Sequence, residues 1–272
     1  MESAVIQRQY NDVIATQYDH DPQNTTGDSL DCALSHLAAA GLLSDLLPAM
    51  RVLDIGMGTG MFLAKLRDRS LRAIEPCGID ISRQMAAIAQ KKLPDLVAAI
   101  DDGANLEHHF PGERFDLIAT HFVTGFVPIT HLAPRIHAKL ASDGVWSFVG
   151  GTTAGYSELR RRAGHPLLRL LFGGKAPDLQ GVICPDNERE VVAVLEANGF
   201  EVLSSETVEP ELHFPDFDSF MEFAYHGGWL TPFIEDIGLH RSRRWQQTVL
   251  NRLVFPIVDH HNIVQALARR RP

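Results

Sequence analysis

Residues 51–60 read Arg-Val-Leu-Asp-Ile-Gly-Met-Gly-Thr-Gly, and this stretch decides the fold. A short apolar run ends at Asp54, and three glycines, Gly56, Gly58 and Gly60, follow at alternate positions. Residues of helix-forming composition come directly after them. This order predicts a buried strand, a tight turn that a ligand approaches closely, and the start of a helix. In open α/β sheets, such a turn at the carboxyl end of a parallel strand is where nucleotide-like ligands bind.

Asp54 bears on which nucleotide this turn would hold. The dinucleotide fingerprint has a glycine at its sixth position, where this chain has Met61. A carboxylate two residues before the first glycine would also repel a pyrophosphate. It suits a ligand with a cation there, and S-adenosylmethionine carries an ammonium and a sulfonium group without any phosphate. Asp80, 20 residues past Gly60, has the spacing of an acid that accepts hydrogen bonds from ribose hydroxyls, which either nucleotide needs.

With these residues the chain resembles the class I S-adenosylmethionine-dependent methyltransferases, through Val-Leu-Asp-Ile-Gly-Met-Gly-Thr-Gly (52–60) and Gly-Ile-Asp-Ile-Ser (78–82). The resemblance is specific over residues 50–150 and implies S-adenosylmethionine as the cofactor. It implies that the glycine turn holds the methionine part, that Asp80 holds the ribose, and that Asp102 meets the adenine amino group, with Asp101 as the competitor. The residues that we assign to the cofactor are Tyr18, Asp54, Gly56, Gly58, Gly60, Asp80, Ile81, Met85, Asp102, Gly103 and His121.

Strand and helix patterns alternate along the rest of the chain, which predicts an α/β fold with a mostly parallel sheet. The predicted strands are 51–55, 77–81, 96–100, 115–122, 145–149, 200–203 and 261–268. The resemblance implies a Rossmann-like, doubly wound, seven-stranded sheet whose last strand runs antiparallel beside the sixth. We predict a helical N-terminal cover over residues 1–49. The methyltransferase domain then covers 50–272, with an insertion after strand five, over about 151–186, that forms part of an acceptor pocket.

Methyl transfer needs alignment of the reactants and exclusion of water more than it needs many catalytic groups. A general base helps where the acceptor carries a proton. The candidate catalytic residues are His121, at the end of predicted strand four, and His226, in an aromatic segment that follows strand six. A hydrogen-bonded structural histidine is the competing interpretation of His121. Tyr18 either lies near the methionine end of the cofactor or packs the N-terminal helix against the core.

The composition of the chain narrows the range of expected partners. The chain has 272 residues, 45% of them apolar, which is enough for a sizeable core, and its net charge of −9 disfavours a nucleic-acid partner. Three widely spaced cysteines indicate no disulfide framework and no metal pattern, so we expect no metal site and a cytoplasmic location. No apolar run approaches the length of a membrane span. We expect a small-molecule acceptor as the partner, and the oligomeric state stays open, with a homodimer among the options.

The leading hypothesis is therefore methyl transfer from S-adenosylmethionine to a small-molecule acceptor. Three alternatives remain open. The first is an enzyme that cyclises the aminopropyl chain of the cofactor and releases methylthioadenosine. The second is an NAD-type oxidoreductase, which Asp54 and Met61 disfavour. The third is a non-catalytic relative that binds the cofactor or a partner protein. The sequence does not identify the acceptor or decide between oxygen, nitrogen and carbon methylation.

Overall fold

The structure is a computed structural model that describes residues 3–45, 47–164, 166 and 183–271. A seven-stranded sheet in the order β3-β2-β1-β4-β5-β9-β6 forms its centre. Strands β1 to β5 pair in parallel, and β9 runs antiparallel between β5 and β6. The predicted Rossmann-like fold, with its antiparallel last strand beside strand six, is therefore confirmed. The strands of this sheet are β1 (Met50–Ile55), β2 (Ile74–Asp80), β3 (Val97–Ile100), β4 (Phe115–His121), β5 (Leu140–Gly151), β6 (Phe200–Val208) and β9 (Ile263–Arg270).

Helices cover both faces of the sheet. The helices are α1 (Ser3–Gln9), α2 (Thr25–Ala39), α3 (Met61–Arg69), α4 (Arg83–Lys92), α5 (Ile129–Lys139), α6 (Ser157–Ala163), α7 (Glu188–Ala197), α8 (Phe217–Met221), α9 (Thr231–Asp236) and α10 (Arg244–Leu253). One apolar cluster joins α2, α3 and α4 to the sheet, and a second joins α5 and α7 to the opposite face. Because helices cover both faces, β1 and β4 are buried along nearly their whole length rather than at alternate residues.

The chain between β6 and β9 forms a third apolar cluster that is rich in phenylalanine. It contains the antiparallel pair β7 (Glu211–Phe214) and β8 (Ile257–His260), which the sequence analysis did not predict. These strands are four residues each and lie far apart in the chain, so neither gives a local signal of pairing. The division of the chain into a cover, a main domain and an insertion stays a prediction. About half of the insertion, residues 165 and 167–182, lies outside the described residues.

The N-terminal segment lies over the carboxyl ends of β1 and β2. A π-helical turn, Tyr10–Ile14, follows α1. Asp19 then accepts hydrogen bonds from the Thr59 hydroxyl at 2.5 Å and from Lys92 at 2.6 Å. The segment is thus tied to the glycine turn and to α4 by one carboxylate. Across the described residues, no helix has both the length and the apolar character that crossing a bilayer requires.

Candidate active site

The glycine turn joins β1 to α3 and leaves its backbone open to a cavity. Gly56, Gly58 and Gly60 all have positive φ angles, of 71°, 53° and 75°. A Cβ atom at Gly56 would lie 2.6 Å from Cγ2 of Val123, so this position excludes any side chain. Gly60 has a different role, because a Cβ there would lie 3.0 Å from the Cβ of Ala89 on α4. Gly60 therefore allows α3 to approach α4, and it does not line the cavity.

Two buried carboxylates stand beside this turn. Asp80 accepts hydrogen bonds from the backbone N–H groups of Gly58 and Ser82, both at 2.8 Å. Burial raises the pKa of Asp80 to about 6, although these hydrogen bonds oppose the shift. Burial, and next the charge of Asp80, raise the pKa of Asp54 well above its usual range.

Asp54 is 2% exposed, and no hydrogen bond reaches its carboxylate from any residue that the structure describes. A buried acid without a partner next to a second buried acid is a costly arrangement. A cationic ligand placed beside the two acids would relieve this cost. The pair therefore fits the ammonium group of S-adenosylmethionine, and it does not fit a phosphate.

The cavity beside the turn, which we call the donor cavity, has a volume of about 100 Å³. It is lined by Ser3, Ile6, Tyr10, Tyr18, Gly56, Gly58, Ile79, Asp80, Ile81, Asp102, Gly103, His121, Phe122, Val123, Phe126 and Val127. Eight of the residues that the sequence analysis assigned to the cofactor are among them: Tyr18, Gly56, Gly58, Asp80, Ile81, Asp102, Gly103 and His121. Asp54, Gly60 and Met85 are not. Met85 is fully buried and packs against Ile14 and Ala15 of the N-terminal segment, because the π-helical turn covers this part of α4.

The two acids after β3 are distinguished by their partners. Asp101 accepts hydrogen bonds from Asn105 at 2.9 Å and is paired with His109 at 2.7 Å, so its carboxylate is held within its own loop. Asp102 lines the donor cavity and accepts hydrogen bonds from the N–H of Ala104 and the hydroxyl of Ser3. Asp102 rather than Asp101 therefore faces the donor cavity.

His121 ends β4 and lines the donor cavity. Its Nε2 atom lies 3.0 Å from the hydroxyl of Ser147, and its buried Nδ1 atom has no partner among the described residues. Burial lowers the pKa of His121 to about 3, so the ring is neutral at pH 7. An imidazole that resists protonation is a poor general base. His121 is therefore suited to a hydrogen bond with a ligand more than to the predicted proton transfer.

His226 lines neither the donor cavity nor a second, aromatic cavity beside it. It ends a second π-helical turn, Glu222–His226, and its exposed side chain lines a surface groove together with Gln17 and His240. The next residues, 227–229, turn inward and line the second cavity instead. The expectation that His226 reaches the acceptor gains no support from this placement. The helical backbone continues through Gly227, and the left-handed conformation, with a φ of 87°, comes at Gly228.

The second cavity, which we call the aromatic cavity, has a volume of about 190 Å³. Its described lining consists of Tyr10, Tyr18, Phe122, Gly125, Phe126, Gly151, Thr152, Thr153, Gly155, Tyr156, Leu159, Arg160, Cys184, Gly227, Gly228, Trp229, Leu230, Pro232, Phe233 and His261. It shares four aromatic residues with the donor cavity: Tyr10, Tyr18, Phe122 and Phe126. The two cavities are therefore neighbours that meet at these rings.

Two aromatic residues of this cavity have a left-handed backbone. Phe122 has a φ angle of 60° and Tyr156 one of 59°. Such conformations cost a bulky residue about 1–3 kcal/mol and are found most often at functional sites. The N–H of Phe122 donates to the carbonyl of Val149 at 2.7 Å, and the N–H of Tyr156 donates to that of His260 at 2.8 Å. The surrounding backbone thus holds both rings in place.

The sequence analysis did not single out His261, which lines the aromatic cavity. This residue is 4% exposed, and burial lowers its pKa to about 3. Its ring lies between Tyr156 and Trp229, with centroid distances of 4.8 Å to each. Because the cavity is built from distant segments of the chain, no local motif marks its members. The sequence analysis assigned the insertion over about 151–186 and the aromatic segment around His226 to the acceptor side, and His261 lies in neither.

A third group of polar side chains joins α2 to β6. Cys32, His36 and Glu206 each place one potential metal-ligand atom within 4.8 Å of the others, where the sequence analysis expected no metal site. The carboxylate of Glu206 lies 3.2 Å from Sγ of Cys32 and 2.7 Å from Nε2 of His36. These contacts form a hydrogen-bonded link between the cover and the edge of the sheet.

A family model described as a methyltransferase domain matches residues 31–205, which is more than half of the chain. The chain belongs to the S-adenosylmethionine-dependent methyltransferases. The match begins in α2 and ends in β6, so it includes the glycine turn, both buried acids and strand β4. The cofactor of this methyltransferase is S-adenosylmethionine, as the two acids indicate.

Solved structures share the fold of this methyltransferase. The BH2331 protein of Bacillus halodurans is 13% identical, with a TM-score of 0.56, and the match covers 88% of this chain and 100% of that one. The YcgJ protein of Bacillus subtilis is 18% identical, with a TM-score of 0.55 and coverage of 88% and 99%. The cyclopropane synthase MmaA2 of Mycobacterium tuberculosis is 18% identical, with a TM-score of 0.53 and coverage of 89% and 82%. A comparison with curated proteins finds no match.

Proposed function

We propose that this methyltransferase transfers the methyl group of S-adenosylmethionine to a small-molecule acceptor. The observation that carries the proposal is the pair of neighbouring cavities that meet at Tyr10, Tyr18, Phe122 and Phe126. One cavity lies against the glycine turn and the buried acids, and the other is a separate aromatic space. A donor in the first and an acceptor in the second would be in contact at the shared rings.

On the donor side, we assign a partner in the cofactor to each polar group discussed above. Asp54 and the backbone of the glycine turn would hold the methionine part, with the Asp54 carboxylate accepting from the ammonium. Asp80 would accept hydrogen bonds from the ribose hydroxyls and Asp102 from the adenine amino group. The unpaired Nδ1 of His121 would gain a partner in the same cavity. Tyr18 lies close to Gly58, because a Cβ atom at Gly58 would be 3.4 Å from Cε1 of Tyr18. The ring of Tyr18 would shield the methionine part of the cofactor from water.

On the acceptor side, the aromatic cavity is small and walled by rings, which suits one small organic molecule rather than a peptide or nucleic-acid strand. When bound, S-adenosylmethionine supplies a methyl group that its sulfonium already makes electrophilic. The chain's contribution is then to align the acceptor with that methyl group and to exclude water. Phe122 is placed for both tasks, because its ring borders both cavities and its backbone is fixed by the Val149 carbonyl.

The first test is binding and turnover of the cofactor. Calorimetric titration with S-adenosylmethionine and with S-adenosylhomocysteine should give saturable binding at one site, lost in Asp54→Asn. Incubation with methyl-labelled cofactor and a panel of small acceptors should then produce S-adenosylhomocysteine and a labelled product together. The absence of binding at millimolar cofactor would contradict the proposal at its first step.

The identity of the nucleoside product separates this function from the alternatives. Methylthioadenosine in place of S-adenosylhomocysteine would show that the aminopropyl chain, and not the methyl group, is the reacting part. Tight binding without any turnover over a broad acceptor panel would favour a non-catalytic relative. A matched variant, Asp101→Asn, alters a carboxylate that is held within its own loop, and it should retain cofactor binding.

A further inference from the structure

We propose that the aromatic cavity binds an aromatic compound with a ring hydroxyl, and that this hydroxyl donates its hydrogen bond to Nε2 of His261. The proposal rests on the proposed function, because it names the class of acceptor for the same site. It assigns His261, which no motif of the chain marks, as the residue that selects and orients the acceptor.

The two ring nitrogens of His261 have different surroundings. Nδ1 lies 3.2 Å from the hydroxyl of Tyr156, whereas Nε2 has no hydrogen-bond partner among the described residues. The side chain lines the aromatic cavity, so Nε2 is the atom left for a ligand. A neutral imidazole carries one proton, and the proposal places it on Nδ1, where it is donated to the hydroxyl of Tyr156. Nε2 is then an acceptor, and the ligand group that completes the site is a donor.

The ring of His261 is held in one orientation. Trp229 meets it edge to face at 90°, and Tyr156 lies against its other side with an interplanar angle of 33°. The backbone N–H of His261 donates to the carbonyl of Pro210 at 3.1 Å. A hydrogen-bonding group with fixed neighbours is pre-organised, and pre-organisation favours a directional contact with a ligand.

Burial also decides what His261 does to the proton of the hydroxyl. Because burial lowers the pKa of His261 to about 3, the imidazole stays neutral from about pH 5 upward and accepts a hydrogen bond without taking the proton. His261 thus orients the hydroxyl oxygen and is not a general base. A general base with a pKa near the working pH would instead give a step in the pH profile.

The size of the cavity matches a substituted single ring. A dry protein cavity of about 150 Å³ accommodates benzene, and the aromatic cavity has about 190 Å³. Aromatic rings from four different segments surround this space, which favours edge-to-face contacts with a flat ligand. The segments contribute Tyr10, Phe122, Tyr156 and Trp229.

One charged side chain lies among the described residues that line the aromatic cavity, Arg160. A terminal nitrogen of its guanidinium group donates to the backbone carbonyls of Thr153 and Gly155, which orients the cation without neutralising it. A carboxylate ligand has no proton to donate to Nε2 of His261. The proposed contact therefore favours a phenol over a benzoate.

The experiment titrates three one-ring probes, phenol, anisole and benzoate, into the full chain with and without S-adenosylhomocysteine. Binding is followed by calorimetry and by the side-chain signals of the chain labelled with ¹⁵N-histidine. Phenol should bind about threefold to tenfold more tightly than anisole, which lacks the donor. Phenol should also bind more tightly than benzoate and should shift the Nε2 signal of His261.

Two variants test the assignment of His261. His261→Leu keeps much of the volume and removes the acceptor, so phenol and anisole should bind equally. If this variant does not fold, Gly151→Ala replaces it, because a Cβ at Gly151 would lie 2.8 Å from Nε2 and obstruct it. The matched control is His260→Leu, which changes the exposed neighbour and should keep the preference for phenol.

Equal binding of phenol and anisole by the unaltered chain would overturn the proposal, as would tightest binding of benzoate. A preference for phenol that survives in both His261→Leu and Gly151→Ala would overturn the role of His261. The probes bind without any methyl transfer, so this result is independent of turnover. Failure of the proposed function would appear separately, as the absence of binding or turnover of S-adenosylmethionine.

Discussion

Asp80 ties the stability of the cofactor-free chain to pH. Burial raises the pKa of its carboxyl from 3.8 to about 6, so the folded chain holds this proton more tightly than the unfolded chain does. The stabilisation is therefore complete below about pH 4 and is lost as the pH rises through 6. The full effect on the free energy of unfolding is about 3 kcal/mol. About 1.4 kcal/mol of it is lost between pH 5 and pH 7.5.

Asp80→Asn isolates this share of the stability. The amide does not titrate, and its oxygen still accepts from the N–H of Gly58 or Ser82. Urea unfolding at pH 5 and pH 7.5, at constant ionic strength and without cofactor, should show that the unaltered chain loses about 1.4 kcal/mol more than the variant. The pKa of Asp54 is raised too, so Asp54→Asn should flatten the profile in the same direction. Parallel profiles of the unaltered chain and Asp80→Asn would refute the reasoning.

The same carboxylate predicts a pH-dependent affinity for the cofactor. Ribose hydroxyls donate to the charged form, so the affinity for S-adenosylhomocysteine should fall by about tenfold from pH 7.5 to pH 5. Asp80→Asn should weaken binding at pH 7.5 by about 10- to 150-fold, as expected for hydrogen bonds to a charged group. Calorimetry measures both effects. An affinity that does not change with pH, together with a variant of normal affinity, would remove Asp80 from the cofactor site.

Three further predictions concern other parts of the site. Gly60→Ala should lower the free energy of unfolding by about 1–2 kcal/mol, because the φ of 75° and the contact with Ala89 both oppose a Cβ; unchanged urea unfolding would contradict this. Asp19→Asn weakens the link from the cover to Thr59 and Lys92, so stopped-flow measurements should show S-adenosylhomocysteine dissociating several-fold faster. His226→Ala should leave both the cofactor affinity and phenol binding within about twofold in calorimetric titrations, because this exposed side chain lines neither cavity; a tenfold change in either would return it to the site.

The donor half of the site could be predicted because its signals are local. Gly56 and Gly58 need positive φ angles that glycine alone adopts easily, and they directly follow the strand that carries Asp54. Even for the donor half, prediction from the sequence has physical limits. Whether a glycine of the turn faces a ligand or a neighbouring helix depends on tertiary packing, which is why Gly60 contacts Ala89 instead of the cavity. Met85 has the correct spacing after Asp80, yet the N-terminal segment covers it.

Tertiary packing also explains why the sequence did not distinguish the roles of the histidines. In the sequence, His121, His226 and His261 are three similar residues near the ends of predicted elements. Burial and hydrogen bonding, which only the folded chain defines, separate an exposed side chain from two neutral buried rings. The sequence analysis selected His226 for its aromatic neighbours, but of these Trp229 lines the aromatic cavity while Tyr225 and His226 do not.

The acceptor half of the site, unlike the donor half, depends on contacts between distant segments of the chain. This difference between the two halves has a functional consequence. Tyr10, Phe122, Tyr156, Trp229 and His261 come from the cover, the end of β4, the start of α6, the phenylalanine-rich cluster and the connection to β9. Of these, Tyr10 and Phe122 also line the donor cavity, and Phe122 directly follows β4. Substitutions in the other three segments can change the shape and polarity of the aromatic cavity while Asp54 and Asp80 keep their surroundings. Selection of the acceptor can therefore change independently of cofactor binding, and Tyr10 and Phe122 are positions where the two are coupled.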